Sequence, residues 1–308
     1  MKLNTLIIIF FFYLFYTSIA YAKESYALVL STSLSQSDEF INGFSESFPD
    51  KDIYILDLKG NKDEKKLRKF INNINPSVII SIGILASSLS VEVENKIPII
   101  FAMVINYKKY DILRKNNVTG ISMEIPPQII FTQLKMILPD INSIGVPFHP
   151  EASLEIVNDA QTSGTKMGID LIKIPVKNPD KIDIMLSNYS EKYKGIWMIA
   201  DTKLYNPSTK AFEKLVSIAE KENKPLIAFS EAFIKSGALF SVSINYHSIG
   251  SQTALISKLI VHDKLLPSNI PVATPIGTYT VINKNVAYSI LGNSFNESIY
   301  ENIDKVYP

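Results

Sequence analysis

Residues 78–104 read VIISIGILASSLSVEVENKIPIIFAMV. Val78–Ile82 is short, rich in β-branched residues and closed by Gly83, which is the signature of a buried strand followed by a tight turn. A short helix opens near Ala86, and Ile97–Val104 resumes the apolar run. Strands that read as continuous apolar runs, rather than alternating, are covered on both faces, and that is the condition of a parallel sheet with crossover helices. The pattern extends upstream. Tyr26–Leu30 and Ile53–Leu58 are strands, and a helix around Asp38–Phe48 places Phe40, Ile41 and Phe44 on one face. Asp63–Asn73 is a helix whose Lys62–Lys69 charge run is a solvated face.

Downstream the alternation pauses at an extended Val118–Met123 and restarts. Pro126-Pro127 opens a helix to about Leu138, as proline does in a first helical turn. Then follow strand Ile144–Phe148, helix Ala152–Met167, strand Asp170–Val176, helix Ile182–Tyr189, strand Ile196–Ala200, helix Ser208–Glu222 and strand Leu226–Phe229. Ala238–Ile244 is extended, Ile249–Val261 amphipathic, Thr278–Ile282 a strand and Val286–Leu291 a helix. The fold class is therefore α/β, with two doubly wound parallel-sheet lobes. A first lobe is expected over 23–120 with a return at about 246–276, and a second over 121–245 with a C-terminal segment at about 277–308. A ligand would sit between them, at the carboxyl ends of the strands.

Composition narrows the function. With 308 residues, 46% apolar and 20% charged, the chain is long enough for two lobes and too apolar for disorder. A net charge of +1 makes no case for nucleic acid. The chain has no cysteine, so disulfides, thiolate metal sites, a cysteine nucleophile and a lipid-anchoring cysteine are all excluded. Lys2, the apolar run Leu6–Tyr16 and Ala20-Tyr21-Ala22 form a leader with a small-x-small cleavage pattern, so 1–22 is expected to be a signal peptide cut after Ala22. The run is shorter than the roughly 20 residues that span a bilayer, although retention as an N-terminal anchor is the other reading. Loss of Lys2 leaves the mature chain formally neutral. Export without cysteine fits a bacterial periplasm better than an animal secretory route, which leaves the Asn117-Val118-Thr119 sequon without meaning.

Motifs of chemistry are missing. There is no G-x-G-x-x-G, no Walker A sequence and no G-x-S-x-G elbow. His149, His247 and His262 are far apart and no H-E-x-x-H occurs, so no metal, cofactor or catalytic residue is expected.

An ordered set of short motifs carries a resemblance. Gly195-Ile196-Trp197-Met198-Ile199-Ala200-Asp201 and Leu204-Tyr205-Asn206 precede Lys224-Pro225-Leu226-Ile227-Ala228-Phe229-Ser230-Glu231, and then Lys235-Ser236-Gly237-Ala238-Leu239-Phe240-Ser241 and Ile249-Gly250. Earlier come Asn75-Pro76-Ser77, Gly83, Lys96-Ile97-Pro98-Ile99-Ile100-Phe101-Ala102 and Asn117-Val118-Thr119-Gly120-Ile121-Ser122, and later Ile270-Pro271-Val272 and the stretch from Asn283 to Gly292. Over roughly residues 26 to 293 the chain resembles the periplasmic substrate-binding proteins of ABC transporters, in the family that includes tryptophan-type binders. The resemblance implies a type I periplasmic-binding fold, a hinge of three crossings, closure around a small ligand, an ABC permease in the inner membrane as partner, and a monomer without catalysis. Where amino-acid binders of this fold often hold an acid, this chain reads Ile244-Asn245-Tyr246. Asn245 brings no charge, which weakens the case for an amino acid unless Asp201 or Glu231 replaces it.

Candidate contacts follow from strand ends. Ser31, Thr32 and Ser33 follow the first strand and offer hydroxyls to the cleft, or else cap the next helix. Gly83 and Ser87 stand at a helix start, where amides suit an anion, or else serve backbone and cap. Phe148 and His149, before Ser153, would stack on a planar ligand, or else form a lobe-edge hydrophobe and a solvated imidazole. Asp201 and Tyr205, then Ser230 and Glu231, follow buried strands and are the best-placed polar residues, with helix capping as the alternative for Asp201. Trp197 alternates within its strand and reads as core. A small polar or aromatic solute, an amino acid included, is the expected ligand. A sensor input for a membrane receptor and an exported α/β enzyme are the competing functions.

Overall fold

The computed structural model describes residues 24–206, 208–292 and 297–308, and the expected signal peptide at 1–22 lies outside them. A parallel sheet comes first, built from β1 (Ser25–Leu30), β2 (Asp52–Asp57), β3 (Val78–Ile82), β4 (Ile99–Val104) and β5 (Val118–Ser122), in the order β2-β1-β3-β4-β5. Helices α1 (Ser35–Glu46), α2 (Glu64–Ile74) and α3 (Ile84–Val93) make the crossovers. The uninterrupted apolar runs are explained by burial on both faces. Tyr26, Leu28 and Leu30 enter one core with Phe40, Val78 and Ile80, while Ala27 and Val29 enter another with Leu67, Ile79 and Leu89.

The second sheet has the order β12-β11-β10-β9-β8-β6-β7. Its strands are β6 (Ser143–Phe148), β7 (Asp170–Pro175), β8 (Gly195–Trp197), β9 (Leu226–Ala228), β10 (Phe240–Ile244), β11 (Thr278–Asn283) and β12 (Lys305–Tyr307). Only the β10–β11 pair is antiparallel. Around them lie α4 (Pro127–Ile137), α5 (Pro150–Lys166), α6 (Ile182–Ser187), α7 (Ala211–Lys221) and α9 (Lys284–Leu291).

The intervening α8 (Tyr246–Val261) follows β10 in sequence but packs back on the first sheet, against α1. Glycine allows that approach. A Cβ on Gly250 would lie 2.0 Å from the Phe40 carbonyl oxygen, and one on Gly43 would lie 2.0 Å from that of His247, so the two helix backbones touch. The chain then runs beside β5, where Ala273 N–H donates to Gly120 O (2.9 Å), Ser122 N–H to Ala273 O (2.8 Å) and the Thr119 hydroxyl to Ile270 O (2.8 Å). It crosses to β11 at Gly277, whose carbonyl accepts from Asn245 N–H at 3.0 Å. Three crossings thus join the two sheets, after Ser122, at Asn245 and before Thr278.

Several boundaries depart from the expected ones for local reasons. Gly83, at φ 84, turns the chain straight from β3 into α3, so that helix starts at Ile84 rather than near Ala86. Asn245 Oδ1 accepts from Ser248 N–H at 2.9 Å, and this cap starts α8 at Tyr246 rather than Ile249. Thr209 Oγ1 donates to Leu204 O, which holds a turn ahead of α7 and delays it from Ser208 to Ala211. Among the described residues no helix is long and apolar enough to cross a membrane.

Candidate ligand-binding cleft

A cleft of about 800 Å³ opens between the two sheets, at the carboxyl ends of their strands. The first lobe contributes Ile105–Lys109 after β4, and Ser122 with Glu124 at the first crossing. The second contributes the N-terminal turns of α5, together with Trp197, Phe229, Ser230 and Ser243. Tyr246 and Tyr279 close the hinge side. Most of this wall is hydrocarbon or aromatic ring, as expected for a site that takes a ligand with an apolar body.

Backbone irregularity aims the first-lobe loop into the cleft. The β4–β5 register shifts between Phe101 and Val104, and Met103 there has φ 57. Asn106, at φ 54, is again left-handed. A bulge re-aims the residues that follow it, and here those residues reach the other lobe. The Asn106 Nδ2 donates to Ala152 O on α5 at 3.1 Å, and Lys108 Nζ lies 2.9 Å from Glu155 Oε1 and 3.7 Å from Asp159 Oδ2. Glu155 holds the Lys108 ammonium above its usual range, against the opposing effect of burial.

Glu124 Oε1 accepts from Asn106 N–H at 2.6 Å. Burial pushes its carboxyl above the usual carboxylate range, against the opposing pull of N–H donors from Asn106 and Glu124 itself, the Ser122 hydroxyl and Lys108. Burial also draws the Lys109 ammonium down, although Asp201 pulls the other way.

Of the residues picked out by strand ends, Ser230 lines this cleft. Ser31 Oγ accepts from Ala86 N–H at 3.0 Å and so caps α3 from the neighbouring strand, while Gly83 packs close against it. Thr32 is exposed, and Ser33 Oγ donates to Asp57 Oδ2 at 3.0 Å. Ser87 is buried, bonded to Gly83 O at 2.8 Å. Phe148 lies in the core of the second lobe, and His149 caps α5, its Nδ1 accepting from Glu151 N–H at 3.3 Å. Ser153 is a buried residue of that helix.

Asp201 is 2% exposed, with its carboxylate wholly engaged by backbone. Oδ2 accepts from His149 N–H at 2.8 Å, and Oδ1 from Lys203 N–H at 2.9 Å and Leu204 N–H at 3.0 Å. Tyr205 is packed against the core beside it, and burial raises its phenol well above the usual value. Glu231 is bound by Lys305, and by the Tyr279 hydroxyl at 2.9 Å, which hold its carboxyl below the usual range. Asn245 is the α8 cap already described.

Strand-end reasoning passed over Asn106 and Glu124, which lie in the loop after a bulge and on a crossing. It assigned Trp197 to the core, and Trp197 is 3% exposed, meeting Phe131 edge-on at 5.4 Å, while also forming part of the cleft floor. Among the described residues no group of His, Asp and Glu could hold a metal ion.

Comparison with known proteins agrees with this architecture. A family model described as ABC transporter substrate binding protein matches residues 29–307. An uncharacterized protein of Rickettsia prowazekii (strain Madrid E), RP367, is 24% identical over 268 residues, covering 85% of this chain and 84% of its own. Among solved structures, the ligand-free, open form of CD0873, a substrate binding protein with adhesive properties from Clostridium difficile, superposes with a TM-score of 0.75 at 19% identity, covering 92% of this chain and 99% of its own. An ABC domain in complex with L-Trp from Streptococcus pneumonia gives 0.63 at 20% identity, covering 93% and 100%. The chain thus shares its overall α/β fold with these structures, and a family model spanning nearly all of the described residues places it among the ABC transporter substrate-binding proteins.

Proposed function

We propose that the chain is the periplasmic solute-binding component of an ABC-type uptake system, freed of residues 1–22 and acting as a monomer without catalysis. The observation that carries this reading is a largely apolar cleft with walls from both lobes, bridged by Asn106 and Ala152. Segments 23–120 with 246–276, and 121–245 with 277–308, move as two bodies about the three crossings. Ligand entering the cleft shifts the population toward a closed form that an inner-membrane permease recognises. Trp197, Phe229, Tyr246 and Tyr279 supply aromatic surface and Ser230 and Ser243 hydroxyls, which suits a small ligand with an apolar or aromatic body and a few polar groups. The L-Trp bound by the similar streptococcal protein is of that kind.

A thermal-shift screen of the chain from Lys23 to Pro308 tests this, using amino acids, nucleosides, sugars, polyamines and organic acids. A ligand at 100 times its Kd adds about 2.7 kcal/mol of stability, and for a protein of this size roughly 2–4 °C accompanies each kcal/mol. A shift of several degrees with one compound class is expected. No shift with any class, or turnover of a compound that does bind, would overturn the reading.

A further inference from the structure

The charges of the cleft are unequally satisfied. Glu155 and Asp159 share Lys108, and Glu151 pairs with Lys203. Outside the lining, Asp201 is saturated by three backbone N–H groups, and Glu231 by Lys305 and Tyr279. Among the described residues, Glu124 is the one acid of the cleft lining with neutral donors only at hydrogen-bond distance, since Lys108, whose charge acts on it, is engaged by Glu155. Its neighbours along the cleft wall, Met123, Ile125 and Pro126, are apolar. A half-buried carboxylate in such surroundings has given up part of its water without gaining a counter-ion, and a charge-assisted bond formed there is stronger than one at the surface.

We propose that Glu124 is the specificity-determining acid of the cleft, and that it selects ligands carrying a protonated amine on an apolar body. The proposal rests on the solute-capture reading and names the chemistry of the solute. The Asn106 N–H holds the carboxylate in place, so an ammonium meets an oriented acceptor. The same Asn106 reaches Ala152 on the far wall, so the residue that orients the acid also joins the lobes. Asn245, where a charge is expected in amino-acid binders, is occupied as a helix cap. Glu124 supplies a negative pole in its stead, from the first crossing rather than the second.

The test is calorimetric titration of the chain from Lys23 to Pro308, and of its Glu124→Gln and Glu124→Asp variants, with phenethylamine, L-phenylalanine, tryptamine, 3-phenylpropionate and D-ribose. At least one of the three amine-bearing probes is expected to bind the unaltered protein, with 3-phenylpropionate and ribose weaker by tenfold or more. Glu124→Gln is expected to lose tenfold or more of the amine affinity while melting no lower than the unaltered protein. Glu124→Asp, which keeps the charge one methylene further back, is expected to lose less. Amine affinity unchanged in Glu124→Gln overturns the assignment, as does binding of the acid or the sugar in preference to every amine, and both of those results leave solute capture standing. Failure of all five probes overturns the amine assignment, and failure of the wider solute screen as well overturns capture itself.

Discussion

The Asn106 side chain donates to the Ala152 carbonyl at 3.1 Å, joining the bulged loop after β4 to the first turns of α5. Because the two residues stand on opposite walls of the cleft, this bond exists only while those walls are together. Asn106→Gly keeps the left-handed backbone and removes the amide, whereas Asn106→Ala also introduces strain of about 1–2 kcal/mol at φ 54. Both variants are expected to weaken ligand binding and to raise the radius of gyration in small-angle scattering of the unliganded protein. Both lose the bond to Ala152, and the alanine variant is expected to melt several degrees lower than the glycine variant.

Glu124 gives a pH-dependent stability of defined sign. Burial raises its folded-state pKa, so the native protein binds a proton more readily than the unfolded chain does. Stability from this group is therefore fully present below the unfolded carboxylate pKa, about 4.3, and is lost as pH rises through the folded value. The Glu124→Gln variant, permanently neutral, is expected to gain Tm relative to the unaltered protein at pH 7.5 and to lose that advantage near pH 4. An equal difference at both pH values in a calorimetric scan would sink the account.

Glycine at the α1–α8 contact is a packing requirement. A Cβ on Gly250 would stand 2.0 Å from a backbone oxygen, and backbone cannot swing aside as a side chain does. Gly250→Ala is expected to cost at least the 1–3 kcal/mol typical of overpacking, lowering Tm by roughly 2–4 °C for each kcal/mol. Gly168→Ala is the control. Its φ is 67 but nothing lies within 4 Å of the new carbon, so only backbone strain of about 1–2 kcal/mol is added, with no clash. Equal melting shifts for the two variants would refute the contact.

The fold was legible where burial on both faces forces continuous apolar runs, as in Tyr26–Leu30 and Val78–Ile82. Gly83 was legible too, since few other residues turn a strand directly into a helix at φ 84. The cleft was harder to see, for a geometric reason. Its first-lobe wall depends on Met103 at φ 57, and a methionine carries no compositional sign of a left-handed backbone. Asn106 carries a weak sign, because asparagine tolerates that region, but the bulge that makes it matter comes from β4–β5 register. Trp197 shows the limit of alternation. Alternation reads it as core, which its burial bears out, yet does not show that β8 ends there and that the residue also lines the cleft.

Asp201 separates folding from binding. Three backbone N–H groups converge on its carboxylate, from His149 in one loop and from Lys203 and Leu204 in its own, so the ends of β6 and β8 are fastened through one buried side chain. In Asp201→Asn one oxygen becomes an NH₂ that faces a backbone N–H, which leaves a buried donor unpaired at about 1–3 kcal/mol. The variant is expected to melt several degrees lower. Ligand affinity, measured well below that Tm, is expected to fall less than in Glu124→Gln, since no Asp201 oxygen is left to meet a ligand. A variant that melts normally but loses its affinity would make Asp201 a direct contact instead, and would mean that the His149 and Lys203 loops open when ligand binds.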